Sequence, residues 1–146
     1  MRHSTDHAGR QREADRRLAI AAAALYLANL LILPGIAFAI LLLLAWRHRA
    51  NPSALAAAHL RQAVAASLWI GGLLLPPIAA ALALAPADAS GMGAWMLVIL
   101  FFILCHTSFV LLGVIALTRA MAGLCWRYPL IGPALPAACG RGPRHD

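Results

Sequence analysis

Read from the N-terminus, the chain alternates between charged segments and long apolar runs. Three runs stand out: Leu18 to Trp46, Ala63 to Ala85 and Ala94 to Leu117. About 20 helical residues cross the hydrocarbon core of a bilayer, so the second and third runs each predict a full transmembrane helix. The first run, 18 to 46, is too long for one upright helix, and Pro34-Gly35 interrupts it. Proline removes a backbone donor and glycine tolerates positive φ, so this dipeptide is a turn candidate.

Charge decides how the first run is read. Arg2, Arg10, Arg12, Arg16 and Arg17 precede it, and Arg47, Arg49 and Arg61 follow it. The connection from Pro86 to Gly93 carries only Asp88, and Arg119, Arg127, Arg141 and Arg144 close the chain. A single crossing would put the first two arginine groups on opposite sides, against the positive-inside rule. A hairpin turning at Pro34-Gly35 puts every arginine on one side and the Asp88 loop on the other. Its arms are unequal: Leu18–Leu33 spans about 24 Å and Ile36–Trp46 about 16 Å at the helical rise. The second arm falls short of a core about 30 Å thick. The hairpin is therefore either re-entrant or a pair of short tilted helices, and its turn needs cover from the long spans. Asn29 is expected to hydrogen-bond within the bundle. A single kinked helix is the competing reading.

The rest of the chain follows. Residues 1–17 form an arginine-rich tail, and 18–128 a membrane domain. That domain comprises the hairpin 18–46, an interfacial helix 53–62 opened by Asn51-Pro52-Ser53, spans 63–85 and 94–117, and an interfacial end 118–128. Residues 129–146, with four of the nine prolines, read as an irregular tail. Gly71-Gly72 lets a neighbouring backbone approach, and Pro76-Pro77 should kink the second span. Small residues four apart (Ala19/Ala23, Ala79/Ala83, Ala116/Ala120) offer further contacts of little weight in so alanine-rich a chain. Trp46, Trp95 and Trp126 fall near span ends, where amphipathic rings prefer to sit. The predicted class is an all-α membrane protein: two full transmembrane helices plus an N-terminal helical hairpin, a four-helix-like bundle.

Composition supports lipid as the solvent. Of 146 residues, 62% are hydrophobic, more than a small soluble domain can hide. All twelve cationic residues are arginine, so lysine Schiff-base chemistry is excluded. The net charge of +7 is split into groups bordering apolar runs, which fits anionic lipid and topology rather than nucleic acid. Ala37-Phe38-Ala39 has the look of a signal cleavage site, but cutting there would leave another membrane segment, so an uncleaved anchor is expected. Arg16-Arg17 has poor flanks for a twin-arginine signal. Cys105, Cys125 and Cys139 form no CxxC, and an odd count on a reducing side suggests free thiols.

Candidate chemistry is sparse. His106, in Cys105-His106-Thr107-Ser108, is the one good intramembrane ionisable residue, and such residues often mark function. It reads as a relay or axial ligand, or as a neutral histidine bonded to a neighbouring helix. The second reading is favoured because no span carries a carboxylate. His59 would lie about 16 Å from His106 in depth, too far to share a metal or haem. His3, His7, His48 and His145 make no metal spacing. Without a nucleophile elbow, phosphate loop or HExxH, the expectation is no enzyme, no cofactor and no metal.

Two stretches carry a resemblance. His59-Leu60-Arg61-Gln62-Ala63-Val64 resembles an H-x-x-[EQ]-A-[LIV] family segment. Ala120 to Leu130, through Gly123, Trp126, Tyr128 and Pro129, resembles its A-x-x-G-x-x-[WY]-x-Y-P-L ending. Together with the span order they are similar to small bacterial membrane proteins related to the chloroplast inner-envelope component of the Tic translocon, a group that includes magnetosome membrane proteins. The resemblance covers residues 18 to 131 and departs at Ala65 and Ser67, where asparagine and glutamine are usual. It implies a four-helix-like fold without cofactor and, loosely, translocation, assembly or scaffolding. Physically, Trp126, Arg127 and Tyr128 read as interfacial anchors with Pro129 ending the helix, or as a docking corner.

The function expected from these features is a non-catalytic accessory subunit, assembly factor or scaffold of a larger membrane complex. The alternative is a small oligomeric transporter or channel built on the re-entrant hairpin. The expected location is a bacterial inner membrane, multi-pass, with both termini cytoplasmic. Partners would be membrane lipids and another integral membrane protein or a second copy, with no nucleic acid. Candidate contacts are His59, Arg61, Gln62, Gly71, Gly72, His106, Trp126, Arg127, Tyr128 and Pro129.

Overall fold

The computed structural model describes residues 2–50, 53–84 and 91–140. Four helices make up the bundle: α1 (Arg2–Leu31), α2 (Ile36–Arg47), α3 (Ala54–Leu84) and α4 (Met92–Met121), followed by a short 3-10 turn, Ala137–Gly140. The Asp88 loop, the Asn51-Pro52 helix start and Arg141 and Arg144 lie outside the described residues.

Helix α1 continues through the arginine-rich tail instead of starting at Leu18. Its Gln, Arg, Glu and Ala residues are adequate helix formers, and Arg17 reaches back to Glu13 at 2.6 Å. That pair is exposed and contributes little. The packed part begins only at Ala19, where Ala19, Ala22, Ala23 and Tyr26 form one buried stripe at helical spacing.

The helix ends ahead of Pro34, and the Ile32 and Leu33 amides both donate to the Ala28 carbonyl. Gly35 takes φ +84°, a conformation that favours glycine. Asn29 Oδ1 accepts the Gly35 N–H at 2.9 Å, closing the turn. The first apolar run is thus a hairpin of two helices, and the kinked single helix is excluded.

Helix α3 is continuous from Ala54, so the segment 53–62 is the first third of the spanning helix rather than a separate interfacial one. Ser53 starts it, with Oγ accepting the Ala56 amide at 3.4 Å. Pro76 and Pro77 are carried inside it.

Helix α1 packs on all three others, and α2 packs on α1 and α3. Packing is concentrated at one end: the later part of α1, the first half of α3 (Ala56 to Ile70) and the second half of α4 (Phe109 to Ala120). Gly113 admits α1 to α4; a Cβ there would stand 2.6 Å from Leu27 Cδ2 and 2.7 Å from Tyr26 Cε1. Ala19/Ala23 and Ala116/Ala120 are buried in these contacts, while Ala79/Ala83 are exposed.

At the other end apolar side chains face outward, among them Leu75, Leu82, Leu97, Leu100 and Leu104. A buried core helix of a soluble protein would not leave them bare. Both long helices have the length and apolar character to cross a bilayer, and exposure on this scale calls for lipid or protein cover.

Candidate functional site

The two motif stretches, some 60 residues apart in sequence, meet at the packed end. Gln62 is the hinge of this corner. Its Oε1 accepts the Tyr128 backbone N–H at 3.2 Å, and its Nε2 donates to the Pro133 carbonyl at 2.7 Å. One turn earlier, the His59 ring nitrogen Nε2 lies 3.0 Å from the Leu124 carbonyl. Both side chains are buried. A primary amide suits this position because it satisfies a stray backbone donor and acceptor at once.

Tyr128 enters the core, its ring edge-on to Tyr26 with centroids 5.8 Å apart. The Tyr26 hydroxyl donates to the Phe109 carbonyl at 3.1 Å, so α1, α4 and the tail share one aromatic contact. Burial raises the Tyr128 phenol above its ordinary pKa and keeps it neutral. The tail then turns back on itself. Gly132 N–H donates to the Tyr128 carbonyl at 3.0 Å, and Arg127 Nε donates to the Gly132 carbonyl at 3.0 Å. A Cβ on Gly132 would collide with Gln62 Oε1 and the Tyr128 backbone.

Arg127 is exposed with its Nε tied to the tail, and Tyr128 is a core residue rather than an interfacial anchor. Trp126 is half-buried under the Arg119 guanidinium, 5.4 Å from the ring centroid. Pro129 is exposed at the turn, next to Leu130, whose φ is +69°. Through residue 136 the tail has the irregular backbone expected of it, followed by the 3-10 turn Ala137–Gly140, and it is held against the bundle as a strap. It carries a correction as well: Cys125 and Cys139 are joined in a disulfide, and only Cys105 is free. The strap's return brings Cys139 back beside Cys125, a proximity that spacing alone did not reveal.

The second feature lies at mid-height of α3 and α4. A cavity of about 710 Å³ opens between the hairpin turn and the long helices. Asn29, Pro34 and Gly35 line it from the hairpin, Ser67, Gly71 and Gly72 from α3, and Phe102 and His106 from α4. The His106 ring stacks on Phe102 at 5.1 Å. Its neighbour Ser108 bonds back to the Leu104 carbonyl at 2.8 Å, as expected of a helical serine. The Ser67 hydroxyl is buried without a protein partner. A Cβ on Gly71 or Gly72 would meet nothing within 4 Å.

The structure does not bring His59 and His106 together: one belongs to the corner and the other to the cavity. Among the described residues no three His, Cys, Asp or Glu side chains gather where they could hold a metal. Arg61, also in the first motif, is exposed. Sequence reasoning missed Tyr26, Gly113 and Gly132, and noted Ser67 only as a departure from the family pattern. Only Tyr26, a lone phenol in an apolar run, carried a signal.

Fold and site together define a multi-pass helical membrane protein whose C-terminal strap is fastened to the helix bundle through its motif residues. Residues 14–135 match the magnetosome magnetite crystal formation protein family, and the chain belongs to that family. The match falls on the magnetosome side of the motif resemblance and does not bear on the chloroplast import component. No curated protein and no solved structure matches the chain.

Proposed function

We propose that this chain is a non-catalytic, membrane-embedded accessory or scaffold subunit that supports magnetite crystal formation by assembling with another membrane-spanning helix. That helix comes from a second copy or from a different membrane protein. The open wall of the mid-membrane cavity carries the reading. Gly71 and Gly72 present bare backbone there. Pro76 and Pro77 lack the N–H groups that would otherwise bond the carbonyls of Gly72 and Leu73 one turn earlier. The rest of the wall is mostly apolar, with the Ser67 hydroxyl buried behind it without a protein partner, so these freed carbonyls are thinly covered at a depth where water is scarce. A second helix packed on small residues covers them.

In this reading the hairpin is re-entrant. Pro34 and Gly35 share the cavity with Phe102 and His106, ten or more residues short of the start of α4, which supports a turn inside the bilayer. The arginine-bearing end faces the cytoplasm, with both termini, by the positive-inside rule. The cavity wall carries no arginine and no carboxylate, and His106 is its one ionisable side chain, which favours assembly over an ion path.

Size-exclusion in mild detergent, with cross-linking from native membranes, tests this. A complex is expected, and Gly72→Leu should abolish most cross-linked species while insertion and monomer stability stay unchanged, because the monomer has room for the side chain. A well-behaved monomer without cross-links, matched by the variant, would contradict the proposal.

A further inference from the structure

A second groove lies at the arginine end, bordering the corner, with which it shares Pro133. It is about 420 Å³ in volume and runs between the end of α2, the first half of α3 and Pro133. His48, Arg49 and Arg61 stand among its lining residues, and Leu60, Val64 and Leu68 supply its apolar part. Arg49 lies over the exposed Trp46 ring at 5.7 Å. Among the described residues neither arginine has a carboxylate partner.

Arg61 lies roughly 10 Å along α3 from Ala54, in the first third of a helix whose 31 residues exceed the about 20 that cross the hydrocarbon core. That places it toward the headgroup end, where a guanidinium without a carboxylate partner attracts an anion. The anion must come with an apolar body, because the lining continues as Val64 and Leu68 toward the bilayer centre. Basic pockets between transmembrane helices bind anionic lipid headgroups on these terms.

We propose that this groove is a binding site for one anionic phospholipid, its phosphate held by Arg49 and Arg61 and an acyl chain lying along Leu60, Val64 and Leu68. Trp46 marks the headgroup level beside it. The inference rests on the membrane-embedded reading but not on the assembly partner. Lipid retention and cross-linking are separate readouts, so either proposal can fail alone.

The test is native mass spectrometry of the full chain in mild detergent, titrated with phosphatidylglycerol or phosphatidylcholine. One phosphatidylglycerol per chain should be retained in preference to phosphatidylcholine. Arg49→Gln with Arg61→Gln should weaken that retention roughly tenfold or more, and Ala65→Leu, which narrows the groove while keeping both charges, should weaken it too. Arg12→Gln with Arg16→Gln, the same charge change on the exposed part of α1, should leave it intact. Equal loss in this control would show diffuse attraction and overturn the site. So would equal retention of the two lipids, or displacement of the lipid by inorganic phosphate at similar concentration.

Discussion

Replacing Gln62 with leucine releases the C-terminal strap and destabilises the folded chain by about 2–4 kcal/mol. The side chain joins two backbone groups that have no other partner among the described residues, the Tyr128 N–H and the Pro133 carbonyl. Leucine preserves the volume but leaves both groups unsatisfied, and each buried orphan costs about 1–3 kcal/mol. The partial exposure of Pro133 keeps the sum below the maximum. Hydrogen exchange should show the Tyr128 amide losing protection, and thermal unfolding in detergent should shift down by roughly 5–10 °C. An unchanged exchange rate at Tyr128 would mean that the strap is held by something other than this amide.

The second large effect is expected at Gly113. A Gly113→Val substitution drives a branched side chain into the α1–α4 contact. Leu27 Cδ2 is the flexible end of a side chain and can yield, but the Tyr26 ring is fixed by its bond to the Phe109 carbonyl and by Tyr128. The helices must separate, at a cost of about 1–3 kcal/mol or more. Thermal unfolding should show this directly, with Gly71→Val as comparison: a side chain at Gly71 meets open space and should leave the monomer nearly unaffected. Equal effects at the two glycines would contradict the packing described.

The contrast between those glycines shows what a sequence discloses. The hairpin was legible because three independent signals agreed at one place: excess apolar length, Pro34-Gly35 and arginine on both flanks. The spans were legible because lipid imposes a length and polarity rule. The corner was half legible. The motifs at 59–64 and 120–130 stood out, but nothing local says that Gln62 faces Tyr128, 66 residues away. Gly113 and Gly132 looked like any glycine, since their necessity comes from neighbours distant in sequence. The disulfide was misread for the same reason. The start of α1 was misread because a charged segment attached to a stable helix gains further turns without the nucleation cost.

Sidedness brings two signals into contact. In the proposed orientation, which follows the positive-inside rule, the strap faces the cytoplasm, whereas a persistent disulfide belongs to an oxidising compartment. In the cytoplasmic orientation proposed above, Cys125 and Cys139 form a reducible clasp on a strap already held by Gln62 and His59. The fold demands only that both sulfurs lie on the same side as the rest of the arginine end.

The central claim is that the first apolar run enters and leaves the membrane on one side, so that every described arginine-bearing segment shares that side. Single cysteines at Ala8, Ala50, Ala134 and Ile36, each in a chain with Cys105, Cys125 and Cys139 changed to serine, test it with a membrane-impermeant thiol reagent. Positions 8, 50 and 134 should label from the cytoplasmic face alone, and position 36, beside the turn, from neither face. Labelling of position 50 from the face opposite to position 8 would contradict the account.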